Sequence, residues 1–319
     1  MKERAKAVII GHAIGDALGV PAEFVDRAEL ELKPVKTMLG YGSFPVPKGS
    51  WSDDTSMALA TLDSLAKKEV DYEDIMSKFC LWLNNADYTP GDDVFDVGRQ
   101  TLKSIIKYMD GKAQALDCGL TGEMDNGNGS LMRIYPIVLY LYDKQMSEQE
   151  KIEIVHNVSS LTHAHERSKM ACGIYAFILW ELLKNPSLES VTEGIKKARV
   201  FYNEYEERKE YSRLFFNIGR AFVTDKEETL YPMLSKNEIK SSGYVVDTIE
   251  SAIWCLMNTS SYKDCVLCAV NLGNDTDTVG AIAGSLAGAL YGYNSIPQEW
   301  KDTLIKKDWI EKLSDKVFG

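Results

Sequence analysis

Asp275-Thr276-Asp277-Thr278-Val279-Gly280-Ala281-Ile282-Ala283-Gly284-Ser285-Leu286-Ala287-Gly288-Ala289-Leu290-Tyr291-Gly292 opens on carboxylates and hydroxyls, then runs without charge, with glycine at every fourth place. The apolar spacing predicts a helix over Thr278–Tyr293. Each glycine inside a helix costs about 1 kcal/mol relative to alanine. Glycines four apart share one face, so the stripe makes sense only where another backbone lies against it. Gly11, Gly15 and Gly19 form a second stripe in the predicted helix Lys2–Val20. Two such stripes place these helices at the centre of the fold. Membrane dimers use the same spacing, but these segments are short for a bilayer and flanked by aspartates.

Working outward, helical spacing dominates and strand alternation is scarce, which predicts an all-α fold. Thr55–Lys68, Asp71–Asn85, Phe95–Met109, Leu131–Tyr142, Ser147–Thr162, Glu166–Leu183, Leu188–Glu206, Val245–Met257 and Tyr262–Leu272 all carry apolar residues three or four apart. No repeat or flexible linker divides the 319 residues, so one helical domain over 1–319 is expected, with 189–240 a candidate peripheral helical insertion. Of six cysteines, only Cys265 and Cys268 form a close pair, with no partner pair for zinc. Reduced thiols and a cytoplasmic location are expected. His12 and Asp16 interrupt the apolar N-terminal stretch and argue against a signal peptide. No run is long enough for a membrane span. With net charge −11 and no basic block, broad nucleic-acid binding is disfavoured.

Two acidic clusters stand at predicted helix starts: Ser52-Asp53-Asp54-Thr55, and the Asp275-Thr276-Asp277-Thr278 already quoted. Helix capping accounts for either one alone, because Ser, Thr and Asp accept from the first free N–H groups. Yet each supplies more carboxylates than a cap requires. If the two converge, Asp53, Asp54, Asp275 and Asp277 put four negative charges within a few ångströms, a self-repelling set unless cations fill it. Two divalent ions balance four charges, and an all-oxygen ligand set selects Mg²⁺ or Mn²⁺. Convergence across about 220 residues is an assumption at this level.

Six stretches, in order, resemble the ADP-ribosylglycohydrolase family, which includes the dinitrogenase reductase-activating glycohydrolases and the J1 crystallins. They are Gly11-His12-Ala13-Ile14-Gly15-Asp16-Ala17-Leu18-Gly19-Val20-Pro21-Ala22-Glu23-Phe24, Trp51-Ser52-Asp53-Asp54-Thr55, Gly127-Asn128-Gly129-Ser130-Leu131-Met132-Arg133, Leu161-Thr162-His163, Gly243-Tyr244-Val245-Val246-Asp247-Thr248 and Gly273-Asn274-Asp275-Thr276-Asp277-Thr278. The segment around Glu189–Lys240 and the last twenty-odd residues carry no motif. The resemblance implies a compact orthogonal helix bundle with a binuclear Mg²⁺ or Mn²⁺ site at the ends of central helices. It implies Ser52, Asp53, Asp54, Asp275, Asp277 and Thr278 as ligands; many members have Thr where this chain has Ser52, and both offer a hydroxyl.

The implied activity is hydrolysis of the glycosidic bond between ADP-ribose and a protein side chain or small molecule, by a monomer. Metal ions hold the ribose hydroxyls and activate water, and a carboxylate serves the cationic sugar or the water. Asp96, in Phe95-Asp96-Val97-Gly98, and Glu23 match catalytic-pocket positions of the family; a capping residue and a solvated surface charge are their plain alternatives. Gly127, Asn128, Gly129 and Ser130 suit the diphosphate, through close backbone approach and the N–H groups of a following helix start. His163 is implied near the phosphates or ribose. Tyr244 is a candidate adenine shelf, core packing being the alternative. Two competing functions stand beside this one: a two-metal nucleotide pyrophosphohydrolase, and a non-catalytic, crystallin-like ADP-ribose-binding protein.

Overall fold

The computed structural model describes residues 1–205, 208–224, 230–232 and 234–319. Fifteen α-helices lie among them: α1 Lys2–Gly19, α2 Arg27–Leu32, α3 Asp53–Leu65, α4 Tyr72–Asn85, α5 Arg99–Met109, α6 Tyr135–Leu141, α7 Glu148–Ser160, α8 Glu166–Lys184, α9 Leu188–Asn203, α10 Arg208–Ala221, α11 Val245–Met257, α12 Tyr262–Val270, α13 Thr276–Tyr291, α14 Gln298–Thr303 and α15 Lys307–Phe318. The fold is all-α, as the periodicity predicts, with one antiparallel strand pair among the described residues, Phe222–Thr224 against Leu230–Pro232. No helix among the described residues is long and apolar enough to cross a membrane.

The glycine stripes meet each other. A Cβ placed on Gly11 would sit 2.5 Å from the Gly284 carbonyl oxygen, and one on Gly280 would sit 2.6 Å from that of Gly15. Gly19 and Gly288 abut backbone in the same way, so α1 and α13 touch main chain to main chain. Burial follows: α1 is buried on every side from Ala7 to Gly19, and α13 from Thr276 to Gly288, as expected of helices apolar all round. Gly292 departs from the stripe. A Cβ placed there would meet nothing within 4 Å, and its φ of +81° makes it the residue that ends α13.

Around this pair, the Tyr262 hydroxyl of α12 donates to the Gly11 carbonyl at 2.7 Å, and Tyr175 of α8 pairs with Ser285 at 2.7 Å. α9 lies on α8, with Gly194 against the Ile178 backbone and Val191, Ile195, Ala198 and Tyr202 buried. Buried apolar residues from Ala5 to Val317 form one continuous cluster. Two predicted helices start about one turn late. The first, Phe95–Met109, begins only at Arg99, because Asp96 takes a left-handed φ of +55° that breaks the helical path. The other, Leu131–Tyr142, begins at Tyr135 after a run of turns. The sequence reading named no helix at α2, α10, α14 or α15, although α10 falls within the candidate insertion 189–240.

Candidate metal centre and active-site cleft

The start of α3 is capped twice over without Asp53 or Asp54. Ser52 Oγ accepts from the Asp54 N–H at 3.3 Å. Asp16, reaching across from α1, accepts from Ser52 N (2.9 Å), Thr55 N (3.0 Å) and the Thr55 hydroxyl (2.6 Å). Capping is therefore met by Ser52 and Asp16, and the other two carboxylates are left for another use. Asp16 is a site residue the sequence reading missed; its signals were a carboxylate inside an apolar helix and its place in the first motif stretch.

The start of α13 lies against this one. The Thr278 hydroxyl donates to Asp54 Oδ1 at 3.2 Å, across 224 residues of chain. Asp277 Oδ1 accepts from Thr278 N at 2.9 Å, and Asp275 Oδ2 accepts from Asn128 Nδ2 at 2.8 Å. Carboxylate oxygens of Asp16, Asp54 and Asp277 lie within 4.8 Å of one another, and so do those of Glu23, Asp96 and Asp277. Glu23, from the loop after α1, and Asp96, from the loop before α5, thus reach the same centre.

This proximity penalises ionisation. Burial, then the charge of Asp96, pushes Glu23 up to about 10; burial, then Asp275, pushes Asp96 up to about 6. Burial raises Asp53, Asp54 and Asp277 well above the carboxylate range, reinforced first by Asp96, Asp16 and Glu23 respectively. It also raises Asp275, and takes Asp16 to about 7. Glu23 Oε2, Asp54 Oδ2 and Asp277 Oδ2 are buried with no hydrogen-bond partner. Orphaned buried carboxylate oxygens are costly, and an all-oxygen set without histidine or thiolate fits hard divalent cations.

A second acidic group, Glu123, His165 and Glu210, does not fit a metal. Arg167 grips Glu210 at 2.6 Å and Glu123 at 2.8 Å, and Arg213 and Lys209 reach Glu123 at 3.2 and 3.4 Å. Its anions are already neutralised.

Over the centre opens a cleft of about 220 Å³, bounded on the acidic side by Glu23, Asp53, Asp96, Asp275 and Thr278, and opposite by Gly127, Asn128, Gly129 and His163. The loop is held by its backbone: Gly127 N donates to Gln100 Oε1 (3.0 Å), Asn128 N to the Gly243 carbonyl (3.1 Å) and Val245 N to the Asn126 carbonyl (3.1 Å). Gly129 lies flush on the His163 ring, where a Cβ would come within 2.8 Å of Cε1. Two expectations change here. A turn rather than a helix follows this loop, so the loop brings no helix N-terminus of its own to the cleft. Ser130 faces the core, where its hydroxyl accepts from Ser159 at 2.8 Å and meets Cys172.

His163 Nδ1 pairs with the Thr162 hydroxyl at 2.8 Å, and that hydroxyl accepts from Arg133 at 2.7 Å. Burial, then Arg133, pushes the imidazole down to about 3, so it is neutral. Thr162 donating to Nδ1 would leave the proton on Nε2, which lies beside Gly127 and Gly129. Past Gln100, Gly127 and Gly243 the cleft widens into a mouth of about 460 Å³ that includes Tyr244, Arg167 and Arg213. The Arg167 guanidinium lies 5.7 Å from the Tyr244 ring centroid. Tyr244 therefore stands at the cleft as well as at the start of α11.

The ADP-ribosylglycohydrolase family model matches residues 1–319. The ADP-ribosylarginine hydrolase Tri1 of Serratia proteamaculans is 32% identical over 99% of this chain and 79% of its own length. The ADP-ribosyl-[dinitrogen reductase] glycohydrolase of Rhodospirillum rubrum is 30% identical over 96% of this chain and 91% of its own. A solved structure of an ADP-ribosylglycohydrolase-related protein complex superposes with a TM-score of 0.80 at 26% identity, covering 99% of this chain and 97% of that one. A match over the whole length, with the acidic helix starts brought together, leaves one assignment: this chain belongs to the ADP-ribosylglycohydrolase family of hydrolytic enzymes.

Proposed function

We propose that the chain hydrolyses the bond between the ribose of an ADP-ribosyl group and an arginine side chain, using two Mg²⁺ or Mn²⁺ ions. The observation that carries this reading is the meeting of two helix starts around orphaned carboxylate oxygens, Thr278 against Asp54 and Asp277 against Glu23. Asp53, Asp54, Asp275, Asp277 and Thr278 are the residues that would hold the ions, with the Ser52 hydroxyl beside them. Bound divalent cations supply charge neutralisation and Lewis-acid polarisation of sugar hydroxyls and water.

The chain's own groups do the rest. Asp16 fixes the α3 start, so that Asp53 and Asp54 are presented rather than spent on capping. Gly127, Asn128 and Gly129 let main chain approach the diphosphate, His163 Nε2 faces the same loop, and Tyr244 offers a face to the adenine. Asp96 and Glu23 divide the protons. Asp96, the more acidic of the pair, takes the proton of the attacking water as the C1–O bond forms. Glu23, the less acidic of the pair, gives a proton to the departing nitrogen as the C1–N bond breaks. Arginine is chosen because two relatives, 32% and 31% identical over 99% of this chain, carry that acceptor in their names.

Incubating the protein with ADP-ribosylated arginine and each metal, and separating the products, tests the reading. Free ADP-ribose, lost with chelator and in Asp277→Ala, is the expected result. AMP with phosphoribosyl-arginine would establish the pyrophosphohydrolase instead, and binding without any product would establish the crystallin-like role.

A further inference from the structure

The substrate just proposed has two ends, and the protein offers each a different surface. At the nucleoside end stands the wide mouth with Tyr244 and Arg167, beyond Gly127 and Gly243. The acceptor end must leave where Glu23 and Asp96 sit. Those two carboxyls are inside the cluster with Asp277, but the residues next to them in sequence are not: Phe24 follows Glu23 and is 70% exposed, and Phe95 precedes Asp96. Phe44 bridges them, its ring centroid 6.2 Å from Phe24 and 4.9 Å from Phe95. The three rings make a continuous aromatic rim outside the two carboxylates.

The rim is held in place. Phe24 N donates to the Asn274 carbonyl at 2.7 Å, tying it to the loop that leads into α13, and Ser43 N donates to the Pro21 carbonyl at 3.1 Å. Phe24 and Asp96 both take left-handed backbone angles, φ +63° and +55°, which turn the ring outward and the carboxylate inward at each side of the rim. Charge adds a direction. Residues 86–98 contain Asp87, Asp92, Asp93 and Asp96 and no lysine or arginine, and Asp92 and Asp93 are exposed. Residues 38–46, which carry Phe44, are uncharged. An aromatic band edged by aspartates suits a cationic segment, through ring faces and Coulomb attraction together.

We propose that Phe24, Phe44 and Phe95, with Asp92 and Asp93, form the docking surface for the polypeptide that carries the modified side chain, and that this surface favours arginine- and lysine-flanked segments. The proposal deepens the hydrolase reading and rests on it.

Two substrates separate the two claims: ADP-ribosylated arginine as the free amino acid, and a peptide modified on arginine with lysines on both sides. In Phe24→Ala and in the double variant Asp92→Asn/Asp93→Asn, kcat/KM for the peptide should fall about tenfold, carried by KM, as expected for a buried aromatic anchor. Turnover of the free amino acid should change less than twofold. The side chains replaced are exposed, so both variants should keep the wild-type Tm, and the Asn pair guards against misfolding of the alanine variant. Equal losses on both substrates, or an unchanged peptide KM in both variants, would overturn the docking role. So would a wild-type dimer that Phe24→Ala dissociates without altering peptide turnover, because the rim would then cover a second copy. A wild-type protein inert toward both substrates would remove the hydrolase reading itself, and the rim proposal with it.

Discussion

Glu23→Gln should stabilise the protein in the absence of divalent metal, and by an amount that grows with pH. The Glu23 side chain is buried, one oxygen lacks a partner, and burial with the neighbouring Asp96 pushes its carboxyl from 4.5 to about 10. A carboxyl raised on folding stabilises fully below its unfolded value, and that contribution drains away as pH rises through the folded value. Between 4.5 and 10 the unfolded wild-type chain gains about 1.4 kcal/mol per pH unit by ionising, while the folded chain keeps its proton. At pH 7.5 that amounts to about 4 kcal/mol, and at pH 5.5 to about a third of that. Glutamine has nearly the same shape, can still donate to Asp96 and never ionises, so it escapes this loss. For a chain of this size 1 kcal/mol moves Tm by roughly 2 °C. Scanning calorimetry in EDTA should therefore show the variant about 8 °C above wild type at pH 7.5 and about 3 °C above at pH 5.5. Divalent cation should narrow the gap, because a nearby positive charge lowers the raised wild-type carboxyl. A gap independent of pH, or a variant less stable than wild type at pH 7.5 in EDTA, would refute the reasoning.

Asp277→Ala removes an orphaned oxygen from the centre; titration calorimetry should show Mn²⁺ binding abolished while far-ultraviolet dichroism keeps its helical signal, and wild-type binding heats would contradict the site. Asp16→Asn leaves one acceptor oxygen where two now serve Ser52 N, Thr55 N and the Thr55 hydroxyl, so Mn²⁺ affinity should fall roughly tenfold, the scale on which groups that orient metal ligands act. Gly15→Ala drives a methyl into the Gly280 backbone and should cost about 1–3 kcal/mol, read as a fall in Tm; an unchanged Tm would show that the two helices do not touch there. His156, pushed by burial from 6.5 to about 3, favours folding fully above 6.5 and progressively less as pH falls toward 3. His156→Gln should therefore flatten the loss of Tm between pH 6.5 and 5, where wild type gives up about 2 kcal/mol.

The central helix pair was legible because its signal is expensive. Seven glycines inside two apolar helices demand a compensating contact, and six of them make it, Gly292 serving as the terminator instead. α15 was equally legible and went unread: Ile310, Leu313, Ser314 and Val317 are buried at helical spacing in a tail without a motif. α2 was not legible. It has six residues and one buried side chain, and it is anchored from outside, by Arg27 donating to the Leu272 carbonyl at 2.7 Å and to that of Ile239 at 2.5 Å. The start of α5 failed for another reason: apolar spacing continues through Phe95, but the backbone leaves the helical region at Asp96. Periodicity reports which side chains are buried and is silent on the φ of a single residue.

The centre divides along the same line. Asp53, Asp54, Asp275 and Asp277 stood out because they exceed what capping needs, whereas Asp16 is one carboxylate in a helix and acquires its role only when α1 crosses the start of α3. That crossing is where fold and chemistry become one problem. The Thr276 hydroxyl donates to the Gly19 carbonyl at 2.7 Å, fixing how far α13 has slid along α1. One helical turn is about 5.4 Å, more than the 4.8 Å that spans the oxygens of Asp16, Asp54 and Asp277. A slip of a single turn would therefore keep glycine against glycine, four residues on, and still dismantle the carboxylate cage. The stripes alone tolerate several registers; the hydroxyl at the helix start selects the one in which the acids meet.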